Sequence, residues 1–262
     1  MTIEGNEHVL AETKEGVLYL TMNRPDSLNA FSPTMMQGLK EALGKAQDDA
    51  DVRTVVLSGA GRAFSAGGDV KTMGDNAPLD IYEHIGELNE LILTMKDLDK
   101  PIVAAVHGFA AGAGFNLALA CDIILAAEDT NFILSFSKVG LVSDGGGHYF
   151  LSKLIGPYRT KELLFSAEPV SVTKAQELGI VNHVYRQEEM QQKVHEFAVK
   201  LASGPAVAYG FMKKIVDQAL DADLATILER ERTTQATMVS TEDHKEGVQA
   251  FKEKRTPKFK GN

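Results

Sequence analysis

Two glycine-rich segments each follow a strand-like apolar run and could present backbone N–H groups to a developing negative charge. The first reads Phe64-Ser65-Ala66-Gly67-Gly68-Asp69-Val70, and the second runs from residue 107 to residue 114. Glycine lets a ligand approach bare backbone, and a helical pattern after the second segment adds the positive end of a helix dipole. The two turns together could therefore stabilise one oxyanion.

A third glycine-rich break contains a carboxylate, Asp144, directly before Gly145-Gly146-Gly147. The residue types leave two roles open for Asp144. It could be a general base whose pKa is raised by the apolar side chains of Phe136, Leu141 and Phe150, or it could cap the helix that follows. His148 comes four residues later and could share a helix face with Asp144, whereas His107 is expected to be structural.

Composition places the chain among ordinary globular proteins and limits its partners. It has 262 residues, 44% hydrophobic and 24% charged residues, and a net charge of −9, which argues against a general nucleic-acid binder. Its single cysteine, Cys121, is expected to be a buried, inert thiol. The N-terminus does not resemble a signal peptide, and no apolar run is long enough to span a membrane, so a cytoplasmic protein is expected.

The hydrophobic periodicity predicts an α/β core followed by helices alone. Strands are expected at 8–12, 17–22, 54–57, 123–126 and 132–134, and helices at about 33–47 and 80–98. From Thr173 onward the pattern is almost entirely helical; strands and helices are expected to mix through about residue 185, with helices alone after it. Residues 1–203 are assigned to the core and 204–262 to a helical region that packs either on a neighbouring subunit or on its own core. Residues 73–78 form either a lid or a plain connection.

Four segments in one order carry a family resemblance. They are Asn23-Arg24-Pro25 with Leu28-Asn29-Ala30, the stretch from Gly61 to Val70, the stretch from His107 to Ile123, and Ala175-Gln176-Glu177-Leu178-Gly179-Ile180-Val181. Together they resemble the crotonase superfamily, the enoyl-CoA hydratase/isomerase family. The resemblance implies a spiral of ββα units, a helical trimerisation region, assembly as a trimer or a dimer of trimers, and an acyl-CoA thioester as substrate.

The resemblance also implies roles for individual residues. Gly68 N–H and Ala113 N–H would form the oxyanion hole, and Asp144 would be the catalytic base. Coenzyme A is then part of the substrate, and no separate cofactor, metal, membrane or nucleic-acid partner is expected. The expected substrate and coenzyme A contacts are Arg24, Leu28, Ala30, Ala66, Gly67, Asp69, Val70, Gly112, Asn116, Phe136 and Leu141, with Phe251 and Lys254 reaching the coenzyme A of a neighbouring subunit.

The chain departs from the hydratases of this family at two positions. The resemblance implies that hydratases use two glutamates to flank and activate a water molecule. The matching positions in this chain hold Asn116 and Phe136, neither of which is a carboxylate. Asp144 instead stands where isomerases of the family carry an acidic residue. Three parts of the chain resemble the ring-1,2-epoxyphenylacetyl-CoA isomerases of phenylacetate degradation. They are the stretch 110–114, the stretch 136–141 with Asp144, and the ending Glu246-Gly247-Val248 with Lys254-Arg255-Thr256-Pro257.

The expected activity is therefore a one-base isomerisation of an enoyl or ring-epoxide thioester, in fatty-acid or aromatic breakdown. Three alternatives stay open at this point. They are a weak hydratase in which Asp144 alone directs water, a non-catalytic acyl-CoA binder, and an aryl-CoA dehalogenase. The last relies on a tryptophan near position 136, and the chain contains no Trp.

Overall fold

The fold is a mixed α/β core followed by three C-terminal helices. The computed structural model describes residues 3–69 and 77–262. Val70 and residues 73–76 of the predicted lid lie outside the described residues. The strands are β1 Val9–Lys14, β2 Val17–Met22, β3 Thr54–Gly59, β4 Ile102–Val106, β5 Phe109–Ala111, β6 Ile123–Ala127, β7 Asn131–Ile133, β8 Val170–Ser171 and β9 His183–Tyr185.

The helices alternate with these strands as far as β9 and then follow one another. They are α1 Pro33–Asp48, α2 Pro78–Asp97, α3 Ala113–Ala120, α4 Gly147–Ile155, α5 Pro157–Ser166, α6 Val172–Glu177, α7 Met190–Ala202, α8 Ala206–Ala219, α9 Leu224–Met238 and α10 Glu242–Glu253. Short 3-10 turns at Pro25–Ser27 and Ser135–Val139 complete the described helical structure. The α/β class expected from periodicity is confirmed, and so are the helices after residue 203.

The larger sheet is six-stranded, with the order β1-β2-β3-β4-β6-β9, and is parallel except for the β1–β2 hairpin. Side chains of its strands alternate between two cores, as the pleat requires. Leu18, Val55 and Ile102 pack into the main core, which they share with α1, α2 and α3. Their neighbours Val56 and Val103 pack on the opposite face against α7. Parallel strands buried on both faces explain the nearly continuous apolar runs.

Helix α1 begins where the sequence predicts. The Ser32 hydroxyl accepts a hydrogen bond from Met35 N at 3.1 Å, and Pro33 occupies the first helical position. The apolar stripe of this helix faces the main core; its buried members include Met35, Leu39, Ala42, Leu43 and Ala46.

The last strand, β9, ends at the boundary expected near residue 185, although the sequence assigns no strand to that stretch. Strand β9 pairs in parallel with β6 through Leu125–His183 and Ala127–Tyr185, and it forms the edge of the larger sheet. Three residues are too few for a recognisable two-residue alternation, so the sequence pattern does not reveal the strand.

Helix α8 is fastened to the core by a largely buried charge cluster. Lys213 Nζ lies 3.0 Å from Asp122 Oδ2 and donates to Met95 O at 2.8 Å, and its side chain is only 6% exposed. Asp122 also accepts from Ile102 N at 2.8 Å, at the start of β4. Lys96 extends the cluster to Asp217 of α8, at 2.9 Å. In the described part of the chain, no helix is long and apolar enough to cross a membrane.

We expect Lys213→Ala to lower the free energy of unfolding by about 2 kcal/mol, because the largely buried Asp122 then keeps only its longer ion pair with Lys96, at 3.7 Å. The neighbouring Lys214 makes a more exposed ion pair with Asp99, so Lys214→Ala should change stability by less than about 1 kcal/mol. Urea unfolding at fixed protein concentration measures both. Equal effects of the two variants would show that the cluster does not fasten α8.

Candidate active site

The two glycine turns follow adjacent parallel strands, β3 and β4, and pair with each other through their backbones. Ser65 N donates to Phe109 O at 3.2 Å, Ala111 N donates to Ser65 O at 2.9 Å, and Ser65 and Ala110 form an isolated parallel bridge. The carboxyl ends of neighbouring parallel strands thus lie side by side, which is where α/β proteins commonly place their ligand sites.

Gly67 is the point of closest approach between the turns. Its φ is +79°, and a Cβ at this position would lie 2.5 Å from Ala111 O and 2.7 Å from Ala113 N. Both neighbours are backbone atoms that cannot rotate away, so only glycine fits. This contact fixes the Gly67-Gly68 peptide beside the start of α3.

The two expected oxyanion donors are both available. Ala113 is the first residue of α3, after Gly112 with its φ of +53°, so its N–H has no intrahelical acceptor. Neither Gly68 N nor Ala113 N donates a hydrogen bond to any other described residue. Two N–H groups on touching turns, one of them at the positive end of a helix, form a site that can stabilise negative charge on one oxygen.

Asn29 shapes the chain that borders the first turn. Leu28 and Asn29 both adopt left-handed conformations, with φ of 51° and 53°. The fully buried Asn29 side chain donates to Ala60 O at 2.9 Å and to Ala63 O at 2.8 Å, and its Oδ1 accepts from Arg24 N at 2.9 Å. The sequence analysis assigns Asn29 no role. Its residue type is nevertheless informative, because Asn tolerates the left-handed region and here stands between two apolar neighbours.

These contacts bring most of the expected coenzyme A contacts to one place. Ala66 N donates to Leu28 O at 2.8 Å, so the segment that carries Arg24 lies against the first turn. The Arg24 guanidinium donates to Ala30 O at 2.6 Å and lies 3.4 Å from Asp69 Oδ2. The resulting cluster consists of Arg24, Leu28, Ala30, Ala66, Gly67 and Asp69.

Asp144 lies in an irregular loop and is not the cap of a helix. Helix α4 begins at Gly147, its N-cap is Gly146, and no side chain caps it. The possible role of Asp144 as a helix cap is therefore wrong, because two glycines with positive φ, Gly145 and Gly146, intervene. His148 is exposed and cannot share a helix face with Asp144, which precedes the helix. His107 bonds Gly61 O at 3.0 Å, as a structural residue does.

The Asp144 carboxyl is held in a mostly buried position. Its Oδ1 is inaccessible to solvent and has no hydrogen-bond partner among residues 3–69 and 77–262. Burial raises the pKa of Asp144 to about 6, against smaller opposing effects of its own backbone N–H and of the Asn116 amide. A carboxyl group with this pKa is ionised at neutral pH and is a stronger base than an ordinary aspartate.

Asn116, expected to contact substrate, lies inside the protein instead. It is fully buried in α3, where its Nδ2 donates to Ser143 Oγ at 2.9 Å and to Asp144 O at 2.8 Å. With no exposed surface, it holds the loop of Asp144 rather than facing a ligand. Sequence reasoning missed Ser143 altogether, because a lone serine in a loop carries no signal of its own.

Phe136 and Gly112 lie together at the second turn. A Cβ on Gly112 would lie 3.6 Å from Phe136 Cζ, so the ring covers the start of α3. Leu141 N donates to Phe136 O at 3.0 Å, but the Leu141 side chain is half exposed. The apolar side chains that border the glycines after Asp144 are Leu88, beside Gly145, and Phe150, beside Gly146, whereas Phe136 lies at Gly112.

Two expected residues and one thiol lie apart from this site. Phe251, 85% exposed, and Lys254 are at the end of α10, and their role at a neighbouring subunit stays a prediction. Cys121 is buried, and burial raises the pKa of its thiol far above its usual range, as expected for an inert cysteine. In the described part of the chain, no three His, Cys, Asp or Glu side chains are grouped so as to hold a metal ion.

The paired turns present two N–H groups that can stabilise an oxyanion, and the start of α3 is linked through Asn116 to the loop that carries the buried Asp144 carboxyl. The family model for enoyl-CoA hydratase/isomerase matches residues 12–262, and the chain belongs to that family.

Relatives with different names are similar to the chain at comparable levels. The 1,2-epoxyphenylacetyl-CoA isomerase of Escherichia coli K12 is 36% identical, over 97% of this chain and 99% of the relative. The short-chain-enoyl-CoA hydratase of Clostridium acetobutylicum is 32% identical, over 95% of each. The crystal structure of an enoyl-CoA hydratase from Bacillus anthracis superposes with a TM-score of 0.94 at 32% identity, over 97% of this chain and all of that one. The crotonase fold expected from the sequence is confirmed.

We expect Asp144→Asn to stabilise the protein at neutral pH and above. A carboxyl with a pKa of about 6 when folded and about 4 when unfolded makes the folded state lose stability as pH rises between those values. The variant should therefore gain roughly 2–3 kcal/mol in free energy of unfolding at about pH 8, and almost nothing at about pH 4. Denaturant unfolding at both pH values tests this; an equal gain at both would mean that Asp144 is not buried as a charge.

Proposed function

We propose that the chain is an acyl-CoA isomerase that shifts a proton within an enoyl thioester by means of one base. The observation that carries the proposal is a mostly buried Asp144 carboxyl with a raised pKa, linked through Asn116 to the helix that begins at Ala113. The N–H groups of Ala113 and Gly68 donate to no described residue, and Asn116 and Phe136 occupy the positions expected for the hydratase glutamates. The family membership supports an acyl-CoA substrate. The relative from Escherichia coli named as an isomerase supports the reaction class.

The first step places negative charge where the turns can stabilise it. The thioester carbonyl oxygen accepts hydrogen bonds from Gly68 N–H and Ala113 N–H. The Asp144 carboxylate removes a proton from Cα of a 3-enoyl thioester, and the electron pair moves into the carbonyl to give a dienolate. Preorganised donors of this kind contribute on the order of 10²–10³ in rate in other enzymes.

The second step returns the same proton to a different carbon. The protonated Asp144 delivers it to Cγ, the double bond moves from C3–C4 to C2–C3, and the carboxylate is regenerated. No water enters and no atom leaves, so one carboxyl group that alternates between acid and base is sufficient. The apolar ring of Phe136 favours this chemistry over hydration, because it offers no group that could bind or activate water.

We also propose a role for the cluster around Arg24 and for the C-terminal helices. Arg24, held by Ala30 O and close to Asp69, would bind a phosphate of coenzyme A at the rim of the first turn. Phe251 and Lys254 would reach the coenzyme A of a neighbouring subunit in a trimer or a dimer of trimers. The exposed apolar residues Met212, Val216, Leu228 and Phe251 on these helices support packing against another copy.

A proton-exchange experiment tests the reaction directly. The protein, Asp144→Asn and Asp129→Asn, which changes an exposed carboxylate, are incubated in D₂O with 3-enoyl-CoA and 2-enoyl-CoA. We expect the 3-enoyl thioester to become the 2-enoyl thioester without a water adduct, and the rate to fall by about 10²–10⁴ in Asp144→Asn alone, since that variant lacks the base. Mass spectrometry of the thioesters measures conversion, deuterium uptake and hydration together.

Each other outcome favours a named alternative. A hydrated product would contradict the isomerase proposal and favour the hydratase, the name borne by the Clostridium acetobutylicum relative. Intact thioester binding with neither exchange nor conversion would favour a protein that only binds acyl-CoA.

The pH dependence should report the Asp144 base. Only its carboxylate form can remove a proton, so kcat/KM should be constant at alkaline pH and fall tenfold per unit below about pH 6. Initial rates in buffers of constant ionic strength measure the midpoint. A midpoint near pH 4, or a rate that rises as the pH is lowered, would contradict this assignment.

A further inference from the structure

We propose that Asn116 is the positioning residue for Asp144, and that its amide, rather than a carboxylate, is what holds this site to a single base. The inference rests on the proposed function insofar as Asp144 is the base, but its central claim concerns the geometry and titration of Asp144, which are measurable without turnover.

Both hydrogens of the Asn116 amide are used on the loop that carries the base. One is donated to Ser143 Oγ at 2.9 Å and the other to the backbone carbonyl of Asp144 at 2.8 Å. Gly147 N donates to the same carbonyl at 3.0 Å. The peptide that follows Asp144 is therefore held from two sides, although the loop has no regular secondary structure.

Helix α3 provides the link between the base and the oxyanion donors. Ala113, the first residue of α3, presents one donor, and Asn116 lies three residues later, within the same turn of helix. A single rigid element thus fixes the separation between the Ala113 N–H and the Asp144 backbone. Without the Asn116 bond, that separation would depend on a glycine-containing loop, and a misplacement of about 1 Å can reduce a rate by about 10².

The Asn116 side chain packs closely against two glycines of the Asp144 loop and the start of α4, Gly145 and Gly147. A Cβ on Gly147 would lie 2.4 Å from Asn116 Oδ1, and a Cβ on Gly145 would lie 3.4 Å from Asn116 Cβ. Oδ1 is buried and, within the described residues, accepts no hydrogen bond. An unpaired buried oxygen is unfavourable, and the two donated hydrogen bonds offset that cost.

A carboxylate at position 116 could not do the same work. It has no hydrogen to donate, so it would place an acceptor against the Asp144 carbonyl and a second negative charge beside the Asp144 carboxyl. Two neighbouring carboxylates cannot both ionise easily, and the pKa of one of them rises. A carboxyl group at position 116 would therefore titrate together with Asp144, whereas the neutral amide leaves Asp144 to titrate alone.

Three variants test the inference in the intact protein. Asn116→Asp keeps the shape but removes the donor, Asn116→Ala removes the side chain, and Asn182→Ala is the control. Asn182 directly precedes the edge strand β9 and also makes an internal hydrogen bond, since its Oδ1 accepts from Ile124 N at 2.8 Å. Thermal unfolding of each variant shows whether it is folded at the assay temperature.

The readouts are kcat and KM for the isomerisation, and the titration of the Asp144 carboxyl. The latter is followed by NMR of protein labelled with ¹³C at aspartate carboxyls, where the Asp144 signal is the one absent from Asp144→Asn. We expect kcat to fall by about 10–100-fold in Asn116→Ala and at least as far in Asn116→Asp, with KM changed less than about threefold. The Asp144 titration should move to higher pH in Asn116→Asp, by about one unit or more. Asn182→Ala should change neither readout.

The outcomes separate this inference from the proposed function. If the native protein does not isomerise the thioesters but the Asp144 titration moves to higher pH in Asn116→Ala, which adds no charge, the proposed function fails and the positioning role stands. If the native protein isomerises and both Asn116 variants, when folded, keep its kcat and its Asp144 titration, the positioning role is overturned. A loss of activity that only follows the unfolded fraction would likewise overturn it.

Discussion

The contact between two backbone turns at Gly67 is the constraint on which the rest of the site depends. Two parallel strands, β3 and β4, end side by side, and the turns after them touch so closely that a single Cβ on Gly67 would collide with Ala111 O and Ala113 N. Backbone atoms cannot adjust as side chains do, so the relative position of the Gly68 and Ala113 N–H groups is set by the sheet itself. Donors placed by a rigid scaffold need no reorganisation when charge develops, which is the physical basis of strong oxyanion stabilisation.

The Asp144 carboxyl, which we propose as the base, is held by the same scaffold, and its burial lowers the stability of the folded state at neutral pH. Asn116 extends from α3 to the Asp144 loop, and the resulting burial leaves one carboxyl oxygen without a partner among the described residues. A charge in that position destabilises the folded state at neutral pH and at the same time makes Asp144 a better base. Unfavourable burial of this kind is typical of functional sites and is compensated elsewhere in a core of ordinary packing.

The sequence predicts the repetitive parts of this structure and misses the parts that depend on tertiary contact. Strands β2 and β3 and helix α1, with its Ser32 cap, follow from apolar periodicity and local capping, and the two turns follow from glycine after a buried strand. The three-residue strand β9 and the left-handed residues Leu28 and Asn29 are not predicted from local pattern. Their conformations depend on distant contacts, with β6 for the strand and with Ala60 and Ala63 for Asn29. The sequence leaves Asp144 as either a general base or a helix cap. The structure excludes the cap, because helix α4 begins after Gly146. The bonds of Asn116 to Ser143 and Asp144 join residues 27 and 28 positions apart, and no local pattern encodes them.

The central claim is that one carboxylate and two backbone N–H groups surround a thioester without a bound nucleophilic water. The most direct test is a crystal structure of the protein with a saturated acyl-CoA, which cannot be isomerised. The thioester oxygen should lie about 2.7–3.1 Å from both Gly68 N and Ala113 N. The Asp144 carboxyl should lie over Cα and Cγ, with no ordered water beside Cβ. A thioester oxygen bound elsewhere, or a water held by Asp144 against Cβ, would contradict the one-base isomerase and indicate a different reaction.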